Sequence, residues 1–275
     1  MISNLVYLYL ISPLHTGGTT QEGNLLGIAR ESHTDLPYIP SSTIRGRLRA
    51  STSKEEKTAL WGNTIDDVTG GTDENLKQGS LWIGDGSILW LPVPSLSHGV
   101  VWVSSPMLLR RWARFNAPTA TIPNEYSTNL KTGKPVYLKD AILKDTTLQA
   151  WKDWKTFIPT NASTQGLERL LVLPDKHCAT LIQMSLWRQV KIKLNEHKTV
   201  DGGFRYEEAI PPDTVMYFPW GITSQANGQA SDATQKFQKL LGKHSILQIG
   251  GQESLGRGFV QQWMATQEVE QGANK

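Results

Sequence analysis

An α+β fold is predicted for this 275-residue chain by three observations. Short runs dense in Val, Ile, Leu and aromatic residues alternate with amphipathic helical stretches. Ser, Asp, Pro and Gly punctuate the ends of those stretches as helix caps do. Apolar residues make up 39% and charged residues 19% of the chain, which describes a globular protein with a real core.

The elements follow in order. Residues 4–11 read as a strand closed by Ser12-Pro13. Residues 12–40 show few periodic signals and read as one long loop, a length that in compact domains is usually functional or disordered. A helix starts at Ser41 or Ser42, with Ile44 and Leu48 one turn apart and facing inward. A second follows Ser53-Lys54-Glu55-Glu56, which has capping-box spacing, and stops at Gly62. Beyond the polar stretch 62–78, residues 81–83 and 88–91 flank Gly84-Asp85-Gly86, a hairpin signal. Residues 100–103 form a strand, and Ser104-Ser105-Pro106 opens a helix through Phe115 with proline at its first position. Residues 116–166 read as a less regular insertion with little sheet. Residues 167–173 form a buried strand, and Asp175 caps a helix to about Arg188. Residues 189–194 and 204–210 flank the polar tip 195–203 as a protruding hairpin. A strand at 215–220, a helix from Asp232 to Gly242, and strands at 246–249 and 258–263 around a glycine-rich loop complete the order, ahead of a polar tail. This order fits a duplicated or elaborated split β-α-β unit of ferredoxin-like type without singling it out.

The net charge of +3 is too small to prove a polyanion partner, so clustering has to carry that argument. The single Cys178 excludes an intrachain disulfide and a multi-cysteine zinc site. With no secretory signal at the start of the chain, it predicts a cytoplasmic protein. The longest apolar run, residues 5–11, is too short to span a bilayer, so no membrane role is expected.

Three basic clusters stand out. Arg45 and Arg49 share one face of the first helix, a plausible phosphate clamp beside its N-terminus, while Arg47 points elsewhere. The stretch 248–258 holds Gly250, Gly251, Gly256 and Gly258, whose freedom lets backbone approach a ligand closely, with Arg257 beside them. It lacks the Gly-Lys-Ser/Thr ending of a nucleotide-binding P-loop, which argues against ATP or GTP. Lys191, Lys193, Lys198 and Arg205 alternate with Phe204 and Tyr206 around the protruding hairpin, so basic groups could track a backbone while rings meet bases. Solvated surface competes with each reading, as it does for Arg110, Arg111 and Arg114. His15 and His33 could cleave RNA by acid–base chemistry or bind metal with Glu31, but no metal-ligand spacing supports the latter. No cofactor is expected.

On Ser12-Pro13-Leu14-His15-Thr16-Gly17, Arg30-Glu31-Ser32-His33-Thr34, Pro37-Tyr38-Ile39-Pro40 with Arg45-Gly46, Trp102-Val103-Ser104-Ser105-Pro106, Tyr206-Glu207-Glu208 and Ile249-Gly250-Gly251 … Gly256-Arg257-Gly258, the chain resembles the RAMP superfamily of CRISPR proteins. Within it, the chain resembles specifically the repeated backbone subunit of type III-B (Cmr) effector complexes. The resemblance spans nearly the whole chain and implies one domain over residues 1–275, a modified ferredoxin-like (RRM-type) palm that polymerises along CRISPR guide RNA. It implies guide contacts from His15, Gly17, Ser42, Arg45, Arg49, Gly250, Gly251 and Arg257. Residues 190–207, with Lys191, Lys193, Lys198 and Arg205, would be a thumb that interrupts the guide–target duplex. Implied partners are guide RNA, complementary target RNA, further copies of the chain and other type III subunits.

One departure limits the implied activity. Family members cut target RNA beside each thumb with an Asp ahead of the Arg-Glu-x-His-Thr motif. The corresponding position here is Leu25, or Asn24, and residues 12–34 contain no Asp. A leucine neither orients a hydroxyl, nor binds a metal, nor moves a proton. No catalytic residue is therefore assigned, and target cleavage is expected to be weak or absent. The alternatives are an active endoribonuclease using a substitute acid such as Glu22, and a stand-alone single-strand RNA-binding or RNA-processing protein acting through His15 and His33.

Overall fold

The computed structural model describes residues 4–22, 25–65, 69–70, 75–131, 133–226, 228 and 230–265. Its strands are β1 (Asn4–Leu10), β2 (Gly17–Glu22), β3 (Leu25–Ile28), β4 (Leu81–Ile83), β5 (Ser87–Ser95), β6 (Gly99–Ser104), β7 (Ser127–Thr128), β8 (Val136–Tyr137), β9 (Ile142–Leu143), β10 (Gln149–Ala150), β11 (Leu170–Val172), β12 (Trp187–Leu194), β13 (Val200–Ala209), β14 (Val215–Ile222), β15 (Ile246–Gln248) and β16 (Phe259–Met264). Its main helices are α1 (Ser41–Ala50), α2 (Lys54–Trp61), α3 (Pro106–Asn116), α4 (Asp175–Met184) and α5 (Ala230–Lys243).

A ten-stranded sheet runs β10-β7-β11-β6-β5-β14-β1-β16-β15, with β4 also on β14. β1 lies near one end of this order and is buried on both faces. Val6, Leu8 and Leu10 face one core cluster, with Ile44, Leu60, Ile182 and Phe237. Leu5 and Tyr7 face the other, with Leu109, Trp112 and Phe157. Period-2 alternation thus sorts one strand between two cores. Helices α1, α2, α4 and α5 contribute to the first core, and α3 contributes most of its apolar stripe to the second. Phe237 of α5 lies 4.5 Å from the ring of Trp220 and 6.1 Å from that of Trp61, centroid to centroid.

A second sheet, β12-β13-β3-β2, stands apart from the first. The predicted loop at 12–40 is therefore wrong in part. Gly17–Glu22 and Leu25–Ile28 pair antiparallel as β2 and β3, and β3 runs parallel to β13 with Leu25 opposite Tyr206 and Leu26 opposite Glu207. The partner strand lies far along the sequence, so local periodicity could not signal this pairing. The hairpin expected at 84–86 is also absent. β4 and β5 do not pair with each other but succeed one another along the same edge of β14. Gly84 donates its N–H to Pro219 O at 2.8 Å and Gly86 to Ile39 O at 2.8 Å, which holds the break open. The true hairpin is β5–β6, turning at 95–99.

The helix opened by Asp175 ends at Met184, and Arg188 lies in β12. Asp175 accepts a hydrogen bond from Met107 N at 2.9 Å and so caps α3. Ser53 precedes α2 without a side-chain cap, whereas Gly62 ends that helix at φ +76° as expected. Residues 116–166 carry two-residue strands and 3-10 turns. Two of these, β7 and β10, extend the edge of the large sheet. The tail beyond residue 265 and Asn24 lie outside the described residues. Among the described residues no helix is long and apolar enough to cross a membrane.

Candidate nucleic-acid interface

An open groove of 740 Å³ lies between the start of α1, the glycine loop and the root of the β12–β13 hairpin. It is lined by His15, Gly17, Leu26, Ser42, Thr43, Gly46, Arg47, Arg205, Gln248, Gly250, Gly251 and Gln252. Six of the residues singled out in the sequence therefore meet there: His15, Gly17, Ser42, Arg205, Gly250 and Gly251. Among the described residues the lining carries two guanidinium groups and no carboxylate.

The glycine loop is shaped by its backbone. Gly250 sits at φ +82°, and a Cβ there would collide with the carbonyl of His15. Gly251 N donates to that carbonyl at 3.0 Å. Gly258, at φ +76°, lets the two ends of the loop close on each other through Ile249 N donating to Gly258 O at 2.8 Å. Only glycine meets these positions without strain. His15 itself is 5% exposed and hydrogen-bonded through Nδ1 to Glu208 O at 2.9 Å.

Arg45 and Arg49 do not line the groove. Arg45 donates to Trp61 O, and Arg49 donates to Gly62 O at 3.3 Å. They satisfy orphan carbonyls at the C-terminus of α2, where the helix dipole favours cations. Partial burial, and then the neighbouring Arg49, hold the Arg45 pKa below its ordinary value. At the α1 N-terminus, Ser41 N donates to Asp85 Oδ1 at 2.6 Å, so an internal carboxylate already takes one of the helix's free N–H groups. Arg47 is the arginine of this cluster that reaches the groove, and its Nε is buried without a hydrogen-bond partner.

Arg257 also lies off the groove lining. It is 6% exposed, stacks over the Trp187 ring at 3.8 Å and donates to Gln189 Oε1 at 2.7 Å.

The β12–β13 hairpin has two chemically distinct faces. Cross-strand pairs Val190–Tyr206, Ile192–Phe204 and Leu194–Val200 put six apolar side chains on one face, each about half exposed. The other face carries Lys191 and Arg205, both ion-paired to the 1%-exposed Glu207 carboxylate at 2.7 and 3.2 Å. Burial pushes the Glu207 pKa up, but Lys191 and Arg205 outweigh it and hold it below the ordinary value. Two cations against one anion leave this face net positive. Further out, Lys193 pairs with Asp201 at 2.9 Å. Lys198 sits in the tip turn at φ +58°, where Asn195 Oδ1 accepts from His197 N and Thr199 N, both at 3.0 Å.

A second groove of 660 Å³ lies across the same sheet, lined by Leu25, Gly27, Arg30, Asp35, Arg188 and Glu208 among others. Buried Glu208 binds Arg30 at 2.8 Å and Arg188 at 2.9 Å. Leu25 is thus on this face, while its neighbour Leu26 faces the first groove. Glu22 is the backbone partner of Leu25 across the β2–β3 hairpin.

The two histidines are not brought together. His33 Nε2 lies 3.0 Å from Arg111 Nη2, and Arg111 also donates to Glu31 at 2.9 Å, so Glu31 ties its loop to α3. Among the described residues no cluster of His, Cys, Asp and Glu could hold a metal ion. Cys178 is buried, and burial raises its thiol pKa far above the reactive range. The roles of Arg47, Arg30, Arg188, Glu207 and Glu208 were missed in the sequence. Arg47 was visible as a candidate but was set aside on helical spacing.

This arrangement belongs to a class of α+β proteins that build a groove from a glycine loop, a helix start and a projecting hairpin. The chain belongs to the RAMP superfamily, whose family model matches residues 7–261. It is 30% identical to the CRISPR system Cmr endoribonuclease Cmr4 of Pyrococcus furiosus, over 94% of this chain and 95% of that one. Its fold matches that of oligomeric Cmr4 from P. furiosus with a TM-score of 0.69 at 23% identity, over 96% and 98% of the two chains. It also matches a chain of the type III-B Cmr-beta complex bound to cognate target RNA with a TM-score of 0.71 at 20% identity, again over 96% and 98%.

Proposed function

We propose that this chain is a guide-RNA-binding backbone subunit of a type III-B CRISPR effector complex, which polymerises along the guide and positions complementary target RNA. The observation that carries this reading is the first groove: two guanidiniums, no carboxylate, and glycine backbone open to close approach. Such a groove suits a phosphate chain bound without sequence readout. Arg47 and Arg205 would hold phosphates there, with Ser42, Gly250 and Gly251 offering hydroxyl and backbone contacts. The palm corresponds to β5-β14-β1-β16, whose all-antiparallel pairing and chain order fit a ferredoxin-like unit. The β12–β13 hairpin would be the thumb, with its apolar face meeting bases and Lys198 at its tip. Complex partners would be further copies and other type III subunits, in line with the oligomeric relative.

Target cleavage would be weak or absent, because the position that the resemblance assigns to the family's acid reads Leu25, or Asn24, and neither is a carboxylate. The competing reading, cleavage through Glu22, is favoured by one observation: Glu22 pairs directly with Leu25.

Fluorescence-polarisation titrations of guide RNA over a range of salt test the groove. Arg47→Ala should weaken binding with no sequence preference and lower the log–log salt slope by about one. Arg45→Ala should leave that slope unchanged and lower stability instead. An unchanged slope in Arg47→Ala would remove the groove from the proposal.

A further inference from the structure

We propose that Arg257 is a positioning residue that fixes the angle of the β12–β13 thumb against the glycine loop. The inference rests on the thumb and groove assignments above. Among the described residues the Arg257 guanidinium meets the first strand of the hairpin, through its 3.8 Å stack on Trp187 and its 2.7 Å hydrogen bond to Gln189. It ion-pairs with no carboxylate among the described residues, although it is almost fully buried. A surface charge would not need such a seat, and a purely structural arginine at this depth is normally paired. The planar guanidinium is suited to this double contact, because it stacks and donates at once in a fixed geometry.

The second thumb strand has its own tie to the same loop. Gly251 N donates to His15 O at 3.0 Å, and His15 Nδ1 lies 2.9 Å from Glu208 O on β13. Both strands are thus anchored to the glycine loop at the hairpin root, while residues 200–206 and most of β12 are exposed. Leu194 lies seven residues beyond Trp187, about 23 Å along a strand at ~3.3 Å per residue. A tilt of roughly 10° at the root therefore moves the tip by about 4 Å, on the order of one nucleotide step. Holding the root rigid decides which nucleotide step the thumb reaches. Loosening it would leave the α1 and His15 walls of the guide groove in place and move only the Arg205 wall, since neither Arg257 nor Trp187 lines it.

The test is made on the assembled complex, with guide RNAs carrying 2-aminopurine at successive positions and a complementary target. Unstacking at each thumb should appear as bright positions at a fixed interval in the wild-type complex. Trp187→Leu and Arg257→Lys should still bind guide, weakened by no more than Arg205→Ala weakens it, while the contrast between bright and neighbouring positions falls about fivefold. Trp187→Phe, which keeps a ring under the guanidinium, should retain the contrast; a merely structural contact would not discriminate Phe from Leu in this readout. If Arg257→Lys fails to fold, Gln189→Leu at an exposed position carries the same prediction. Wild-type contrast in both Trp187→Leu and the arginine or glutamine variant would overturn the positioning role. Absence of any interval in the wild-type complex would instead overturn the thumb assignment, and the positioning role with it.

Discussion

Arg45 and Arg47 sit two positions apart on α1 and meet different surroundings, the end of α2 and the first groove. Helical spacing separated them correctly, placing Arg45 with Arg49 and Arg47 elsewhere. Spacing does not say what a face meets, however, and the Arg45 face meets the last carbonyls of α2. Those carbonyls lie there only once the two helices have packed, so the distinction was not legible locally. Glu207 shows the same limit. Its neighbours in sequence mark a hairpin strand, but its burial comes from β3 pairing alongside. Because the folded Glu207 pKa is depressed, its contribution to stability is present above the ordinary carboxylate range and is lost as pH falls through the folded value. Glu207→Gln should therefore melt lower than wild type at neutral pH, with the gap closing on acidification as the wild-type carboxyl protonates. Thermal melts across that range check it, and a gap that widens toward acid would contradict the pairing.

At the scale of elements, capped helices and two-sided apolar strands were legible because their signals are local. The inward positions Ile44 and Leu48, the stop at Gly62 and the Pro106 start all lie where the pattern puts them. The β2–β3 hairpin was not legible, because Gly17, Gly18, Thr19 and Thr20 give no apolar alternation and its stabilising partner is the distant β13. Gly84-Asp85-Gly86 misled for the opposite reason. Two strands flanking glycines resemble a hairpin, yet here β14 is long enough to take both in succession. α5 makes a further testable case. Phe237 is fully buried between Trp61 and Trp220, so Phe237→Ala should cost about 3–5 kcal/mol through lost contact and residual cavity. Urea denaturation should show the lower midpoint with an unchanged slope; a loss under about 1 kcal/mol would mean that this site collapses around the gap.

Across the whole molecule, the two faces of the thumb sheet divide the work. Arg205 and Leu26 look toward the groove with Arg47, while Leu25 looks into the second groove with Arg30, Arg188 and Glu208. Residue alternation on β3 thus puts Leu26 on the first groove and Leu25 on the second. The motifs of the chain made the family legible, and the resemblance assigns the family's acid to Leu25 or Asn24. They did not show that Leu25 and Leu26 face different grooves, which depends on the parallel register with β13. The proposed function therefore rests on a groove that carries two guanidiniums and on the absence of Asp from residues 12–34. The most direct test incubates the assembled complex, loaded with guide RNA, with end-labelled complementary target. Wild type should bind the target without a ladder of cuts, and Leu25→Asp should introduce cuts at a regular interval. A regular ladder from the wild-type complex, abolished in Glu22→Ala, would contradict the account and assign cleavage to Glu22.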